Sequence, residues 1–181
     1  DAVELGIGWQ QGARQLQAVA FAQRVDGLIE LRLVEAGPVP GTGTYVYENL
    51  AQARLRGLET SFDGPLAAGV GVGLAYTYLD ARDDAGQRLP KRPRHSAALR
   101  LDWQHDAWRA GLRIEHHADQ LLPTPAVVAP PERAPSVTLV GANLTRRLPL
   151  GLELTLGVDN LTDVRLAERS PLFAQAEPPR T

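Results

Sequence analysis

The stretch from Gly69 to Ala81, GVGVGLAYTYLDA, alternates strictly between bulky and small side chains. The even positions from Val70 to Tyr78 are all large and apolar, whereas the odd positions up to Thr77 are glycine, alanine or threonine. A period of two is typical of a β-strand whose two faces meet different environments. Because the small face would fill no core, the stretch indicates a wall with a bulky apolar side and space behind the other side.

The same alternation recurs along the chain and predicts an all-β, antiparallel protein of about eight strands. The predicted strands span residues 4–10, 15–31, 45–62, 69–80, 95–104, 108–117, 136–147 and 152–162. Four predicted connections are short: Gln10–Arg14, Asp63–Ala68, Gln104–Ala107 and Leu148–Gly151. Four others are long: Val34–Thr44, Arg82–Arg94, Ala118–Pro135 and Asp163–Thr181. Short turns at one end and long loops at the other are the layout of an outer-membrane β-barrel.

Composition limits the other classes of protein. The chain has 181 residues and a net charge of −2, which argues against nucleic-acid binding through a basic surface. Cysteine is absent, so we expect no disulfide framework and no thiolate metal site. No run of about 18 apolar residues predicts a membrane-spanning helix, but strands can cross a bilayer without such a run.

Strand parity assigns the charged residues to the face opposite the bulky one. That face holds Glu59, Arg100, Asp102, Arg109, Arg113, Glu115, Glu153 and Asp159, which we expect to pair mainly with one another or with an element inside a barrel. Aromatic residues fall near the strand ends, with Trp103 and Trp108 beside a short turn and Tyr76 and Tyr78 toward a long loop. These positions are typical of interfacial aromatic girdles.

Three charged stretches could carry chemistry, and each has a plainer interpretation. In EHHAD (Glu115–Asp119), adjacent histidines on a strand point to opposite faces, so they are poorly placed to share a metal ion. The stretch DARDD (Asp80–Asp84) lacks a calcium-loop pattern, and KRPR (Lys91–Arg94) is short and interrupted by proline. We interpret both as solvated loops, and we expect no catalytic residue, no metal site, no cofactor and no enzymatic activity.

Several motifs in order resemble those of TonB-dependent outer-membrane receptors. YENLAQARLRGLETSF is similar to the family pattern Y-x-N-x-x-x-A-x-x-x-G-x-E, through Tyr47, Asn49, Ala53, Gly57 and Glu59. The stretch YTYLDA followed by LPKRPRH resembles a second family pattern, and GVDNLTD resembles its N-L-F-D motif near the carboxyl end. In this last motif the matching positions are Asn160, Leu161 and Asp163.

The resemblance implies that residues 1–181 are the C-terminal portion of a 22-stranded transmembrane barrel, with the final strand and the plug domain outside this stretch. It implies a transporter in the outer membrane of a Gram-negative bacterium, driven through the TonB complex, that imports cobalamin or a ferric siderophore. Its partners would be outer-membrane lipid, the plug, TonB and the cargo, without nucleic acid. The candidate cargo-facing residues in the lumen are Thr77, Arg100, Glu115, His117 and Asp159.

Two other classes fit parts of the pattern. A self-contained eight-stranded outer-membrane barrel with a structural or anchoring role agrees with the length and strand count, although the bare glycine face speaks against it. A soluble β-rich binding domain agrees with the mean hydropathy of −0.20. The sorted connections and the family motifs favour the transporter.

Overall fold

The computed structural model describes residues 1–38, 43–122 and 132–165, with the backbone alone at residues 30–32, 36, 50 and 51. It confirms an all-β chain of eight antiparallel strands in one sheet. The strands are β1 (Ala2–Gln11), β2 (Arg14–Ala36), β3 (Gly43–Ala67), β4 (Val70–Asp83), β5 (His95–His105), β6 (Trp108–Ala118), β7 (Val137–Arg147) and β8 (Glu153–Val158). A 3-10 turn, Pro149–Gly151, precedes β8. Among the described residues no helix has the length and apolar character needed to span a bilayer.

The sheet is open. Each strand pairs with its neighbour in sequence, and within the described residues β1 and β8 do not pair with each other. Two free edges mean that these eight strands do not close into a barrel, so the alternative of a self-contained eight-stranded barrel is wrong. The two edges are instead available to further strands.

The connections are sorted as expected. Tight turns at Gly12, Gly69 and Asp106, where the backbone has positive φ, link strands at one end. A side chain at Gly69 would strike the carbonyl group of Gln104, so this turn needs glycine. The longer connections all lie at the opposite end, called here the long-loop end.

Two predicted loops are shorter than expected because the strands continue into them. β2 runs to Ala36 and β3 begins at Gly43, so both ends of the predicted loop Val34–Thr44 lie in strands. β4 likewise runs to Asp83, inside the stretch that was expected to be a solvated loop. Backbone pairing can continue beyond the apolar pattern because the ladder needs no particular side chains.

The predicted eighth strand, residues 152–162, is too long, since β8 ends at Val158. Asn160 follows with φ at 52° and is buried. Its side-chain amide donates to the carbonyl of Val164, and its side-chain oxygen accepts from the Val164 amide, both at 3.0 Å. Asparagine tolerates this left-handed conformation and closes local turns, so the N-L-x-D motif ends the strand.

The strand register gives the sheet two chemically different faces. The apolar face presents exposed large side chains, among them Leu5, Ile7, Trp9, Leu16, Leu58, Leu74, Tyr76, Trp103, Leu144, Leu154 and Leu156. On the polar face, Gly71 and Gly73 align with Asp102 and Arg100 of β5. The alternation of side chains along each strand therefore determines which residues lie on each face of the sheet, as predicted. Three buried hydrophobic residues, Ala53, Ala81 and Leu89, pack together at the long-loop end.

Candidate functional site

Charged residues pair across the polar face. Arg100 lies 3.2 Å from Asp63 and 3.0 Å from Asp102, and Arg109 lies 2.7 Å from Glu153. Arg113 pairs with Glu115 two residues along its own strand. The prediction that charges on this face pair mainly with one another is confirmed at these positions.

Glycines on the polar face give these side chains room. A Cβ at Gly73 would lie 2.9 Å from the Asp63 carboxylate, whereas a Cβ at Gly71 would meet only the Asp102 Cβ, at 4.0 Å. Gly111 lies beneath the amide group of Asn143 in the same way. The bare face is therefore partly covered by ionic side chains from neighbouring strands and is open at Gly71.

The five candidate cargo-facing residues share the polar face but do not form one cluster. Thr77 and His117 lie in one cross-strand row with Ser96 between them, and the Ser96 hydroxyl is 3.0 Å from the His117 Nδ1. Glu115 lies one row closer to the short turns and pairs with Arg113. The other two, Arg100 and Asp159, lie one row further on, where a carboxylate oxygen of Asp159 covers Gly141.

The two adjacent histidines point to opposite faces. His116 Nδ1 is 2.8 Å from the Thr138 hydroxyl on the apolar side, whereas His117 contacts Ser96 on the polar side. Their rings therefore do not converge on one ion. In the part of the chain that the structure describes, no three histidine or carboxylate side chains are grouped as metal ligands.

The family-motif residues fall into three settings. Gly57 lies directly under the Phe21 ring, which a side chain at this position would strike together with the Tyr78 carbonyl. Glu59 is the cross-strand neighbour of Thr77 on the polar face. Tyr47 and Asn49 lie on the outer part of the β2–β3 hairpin, and Tyr47 is 83% exposed. A packing reason is therefore visible for Gly57, while the role of the other three stays a prediction.

An arginine–carboxylate cluster at the long-loop end was not predicted. Asp119 accepts from Arg88 at 3.0 Å, and it lies 3.3 Å from Arg94 and 3.0 Å from Arg133. Asp80 lies 2.8 Å from Arg82 and 3.0 Å from Arg94. These six residues, called here the clasp, join the β4–β5 connection to the β6–β7 connection.

Backbone bonds and apolar packing support the clasp. The Lys91 amide donates to the Leu121 carbonyl at 2.8 Å, and the Leu89 amide donates to the Ala81 carbonyl at 2.9 Å. Leu89, Leu121 and Leu122 are buried beneath these connections. The described parts of the two connections, residues 84–94, 119–122 and 132–136, are therefore joined to one another by backbone bonds and ion pairs.

Arginine contacts stabilise the charged form of Asp119. Burial alone would raise the pKa of this carboxyl group, but the hydrogen bond from Arg88 and the charges of Arg88, Arg133 and Arg94 outweigh burial and lower the pKa. The carboxylate therefore remains ionised and keeps the two connections joined at neutral pH.

The clasp combines the three charged stretches that had been interpreted separately. Asp80 belongs to DARDD, Arg94 to KRPR and Asp119 to EHHAD. The interpretation of the first two stretches as solvated loops is wrong for these residues, because Asp80 lies in β4 and the Arg94 side chain is only 22% exposed. The Asp80–Arg82 spacing, which places both side chains on one strand face, is the sequence signal that could have indicated part of this cluster.

Aromatic residues mark both edges of the apolar face. The Tyr76 hydroxyl is 2.8 Å from His95 Nδ1 toward the long-loop end. At the short-turn end, the Arg146 guanidinium lies 4.9 Å from the centre of the Trp108 ring. The apolar surface between these two edges is called here the belt.

Comparison with known proteins agrees with this architecture. Residues 1–161 match the family described as TonB dependent receptor-like, beta-barrel. Over 144 residues the chain is 28% identical to the ferric enterobactin receptor of Pseudomonas aeruginosa, covering 72% of this chain and 19% of that protein. The chain therefore spans about a fifth of the length of this curated relative.

Solved structures of longer chains also contain a region that superposes on this chain. A ferric enterobactin receptor from P. aeruginosa in complex with enterobactin superposes with a TM-score of 0.70 at 26% identity, covering 91% of this chain and 26% of that chain. The ferric-catecholate import receptor Fiu of E. coli gives a TM-score of 0.68 at 23% identity, covering 90% and 23%. The copper transporter OprC also gives 0.70, at 19% identity over 90% and 25%, so the fold alone does not select a cargo. Because the match to this family covers residues 1–161, most of the chain, the chain belongs to the TonB-dependent receptor β-barrel family.

Proposed function

We propose that this chain forms part of the barrel wall of an outer-membrane receptor in a Gram-negative bacterium, with the plug domain and the TonB-contacting segment elsewhere in the same receptor. The observation that supports this best is the belt on one face of a continuous sheet whose other face is ionic. From Val70 to Tyr78 the belt extends about 27 Å along β4, which at a strand tilt of about 35–45° gives a height of about 20 Å, within the apolar band of about 25 Å in such barrels. A charged face turned inward would meet water and the plug.

We further propose a ferric siderophore of the catecholate type as cargo. Catecholate complexes of Fe(III) are anionic, and the clasp sets four arginines against two carboxylates at the end where a ligand would enter. Arg133 has a side chain that is 69% exposed, so it can contact an anion from solution. The named activity of the enterobactin receptors supports the same cargo, with cobalamin as the alternative.

We also propose that five residues of the polar face line the path inside the barrel: Thr77, Arg100, Glu115, His117 and Asp159. Their side chains face inward in this arrangement, and each of three rows offers a different group. The hydroxyl and imidazole row of Thr77 and His117 lies nearest the clasp, so it is the row that a cargo descending from the clasp reaches first.

Growth under nutrient limitation tests the proposal. A strain lacking its other receptors and carrying the full-length receptor is supplied with ferric enterobactin or with cobalamin as the limiting nutrient. We expect growth on the ferric siderophore that is lost when tonB is deleted. Growth on cobalamin alone would replace the proposed cargo, and growth that persists without TonB would overturn the proposed class of transport.

Matched variants connect the cargo to the clasp. Replacing the exposed arginine in an Arg133→Gln variant should weaken ferric enterobactin binding about tenfold, since a charged hydrogen bond in a part-exposed setting contributes about 1.5 kcal/mol. The control is Arg147→Gln, which removes an exposed arginine at the short-turn end. Equal affinity in the Arg133→Gln variant and the control contradicts a role of the clasp in cargo binding.

A further inference from the structure

The outer part of the β2–β3 hairpin extends beyond the strands on either side of it. The ladder between β1 and β2 ends at Gln23, and the ladder between β3 and β4 ends at Ala53. Among the described residues, no third strand therefore pairs with the ribbon of residues 28–36 and 43–50, called here the outer hairpin. An isolated two-stranded ribbon is only marginally stable in water, so contacts at its base must fix its direction.

Gly27 lies at this base in a conformation that is unusual inside a strand. Its φ is 66°, in the left-handed region that favours glycine. The strand nevertheless keeps its register across this residue. The flanking pairs are Asp26–Gln52 and Leu28–Leu50. Gly27 is therefore a bend within a continuous ladder.

The bend brings apolar side chains of β2 to one cluster. In an unbroken strand, Val25 and Leu28 would point to opposite faces of the sheet, because successive side chains alternate. Both instead pack against the cluster of Ala53, Ala81 and Leu89. Leu89 belongs to the β4–β5 connection, so the outer hairpin is anchored on a segment that the clasp holds in place.

Asn49 lies against the bend from the facing strand. A Cβ added to Gly27 would be 3.8 Å from the Asn49 side-chain oxygen, which is an ordinary van der Waals distance. A small side chain at position 27 would therefore not strike Asn49, and the left-handed φ is what disfavours other residues there. Asparagine and aspartate are the exceptions, since they tolerate this region. The contact gives the family-motif residue Asn49 a place in the fold.

We propose that Gly27 is an elbow that fixes the angle of the outer hairpin against the clasp, with Asn49 as its positioning residue. The left-handed residue turns the ribbon, the packing of Leu28 holds the turned strand, and Asn49 covers the bend. The outer hairpin thereby presents exposed side chains such as Tyr47 at the end where cargo enters. The elbow follows from the fold, whereas its use in cargo capture rests on the proposed function.

The distance between two spin labels tests the elbow in the full-length receptor. One label is attached to the outer hairpin through Val46→Cys and one to the β4–β5 connection through Ala85→Cys. Both positions are exposed and this chain has no cysteine of its own, so only cysteines elsewhere in the receptor need replacement. We expect one main distance in the parent receptor. In Gly27→Val we expect a shifted maximum and a distribution about twofold broader, because a β-branched residue strongly disfavours the left-handed φ.

Two matched variants separate the conformation of the elbow from the loss of a glycine. Gly27→Asn should keep the parent distance, since asparagine tolerates the left-handed region. Gly8→Val should also keep it, because Gly8 lies inside β1 without a positive φ and has no described atom within 4 Å of an added Cβ. A Gly27→Val receptor with the parent distribution overturns the elbow. A Gly27→Asn receptor disturbed as strongly as Gly27→Val overturns it as well.

Replacing Asn49 tests the positioning role without changing the bend, and it serves equally if Gly27→Val does not fold. Asn49→Ala should broaden the distance distribution while the melting temperature of the receptor stays at the parent value. A residue with a merely structural role would lower the melting temperature and leave the distance unchanged. That second pattern, or an unchanged distribution, contradicts the role given to Asn49.

Binding of ferric enterobactin connects the elbow to the proposed function. If the outer hairpin of Gly27→Val keeps the parent angle in about one fifth of the molecules, the apparent affinity should fall about fivefold, since only that fraction is competent to bind. Parent affinity in a Gly27→Val receptor with a disturbed distance overturns the use of the elbow in cargo capture and leaves the proposed function intact. A parent receptor that neither binds nor imports the ferric siderophore overturns the proposed function, and the label distances still decide on the elbow itself.

Discussion

Two regions at the long-loop end are ordered in different ways. The connections joined by the clasp bury Leu89, Leu121 and Leu122 and are tied by ion pairs around Asp119. The outer part of the β2–β3 hairpin reaches beyond the belt with side chains such as Ile29 and Tyr47 mostly in solvent, at 65% and 83% exposure. Its two strands pair along a continuous backbone ladder, and among its described side chains Leu33 is the buried exception at 3% exposure.

This contrast indicates which function each region can serve. Packing and ionic contacts that depend on one another give a unit that opens as a whole, whereas a ladder with exposed side chains frays residue by residue. We infer that the clasp fixes the position of the groups it carries. The hairpin instead offers accessible side chains whose replacement leaves the rest of the sheet unchanged.

Truncating Leu89 should produce the largest difference between the two regions. Leu89 is 4% exposed and packs against Ala53 and Ala81, so Leu89→Ala should cost about 2–3 kcal/mol in the free energy of opening the joined connections. The matched change in the hairpin, Ile29→Ala, should cost less than about 0.5 kcal/mol, because that side chain is already in water. Hydrogen exchange of backbone amides in residues 84–94, measured in the full-length receptor, reports the first effect. Similar exchange in the two variants would falsify the distinction.

Acid should open the clasp and spare the hairpin. Since the folded state lowers the pKa of Asp119, its contribution to stability is complete above the ordinary aspartate value of about 3.9 and is lost as the pH falls through the lower folded value. Limited proteolysis of the receptor should therefore begin to cut residues 84–94 only below about pH 4.

Asp119→Asn should mimic this acid effect at neutral pH. The neutral amide leaves the charges of Arg88, Arg94 and Arg133 without their carboxylate, and we expect a loss of about 1–2 kcal/mol in the opening free energy. The proteolysis of this variant should depend less on pH than that of the wild type. A wild-type profile that stays flat to well below pH 4, or a variant as resistant as the wild type at neutral pH, contradicts the role given to Asp119.

The sequence predicted the sheet better than it predicted the clasp, and the reason is the range of the interactions. Alternation is local, so the faces of Val70–Tyr78 and the parity of residues such as Arg100 and Arg113 followed directly from neighbours two positions apart. The turn at Asn160 was missed because the residue itself suits either a strand end or a turn. Only its bonds to Val164 decide between them.

The clasp depends on contacts that no local pattern contains. Arg88 and Asp119 are 31 positions apart and meet because β5 and β6 return the chain to the same end. Arg24, Arg54 and Arg82 become neighbours through strand register alone. Only pairing of the strands places these like charges opposite one another.

The smallest structural effect is expected at Tyr47. This position separates a loss of stability from a loss of contact, so it tests the contrast between the hairpin and the clasp most directly. Tyr47 belongs to a family motif yet is 83% exposed, so Tyr47→Ser should change the unfolding free energy by less than about 0.5 kcal/mol. If the outer hairpin is a contact surface, the same variant should reduce uptake of the ferric siderophore while hydrogen exchange stays unchanged. Leu89→Ala should show the reverse order, with altered exchange preceding any loss of uptake. A Tyr47→Ser receptor that loses stability as strongly as Leu89→Ala would mean that the hairpin is packed as tightly as the clasp, and the proposed division between a fixed and an accessible region would fail.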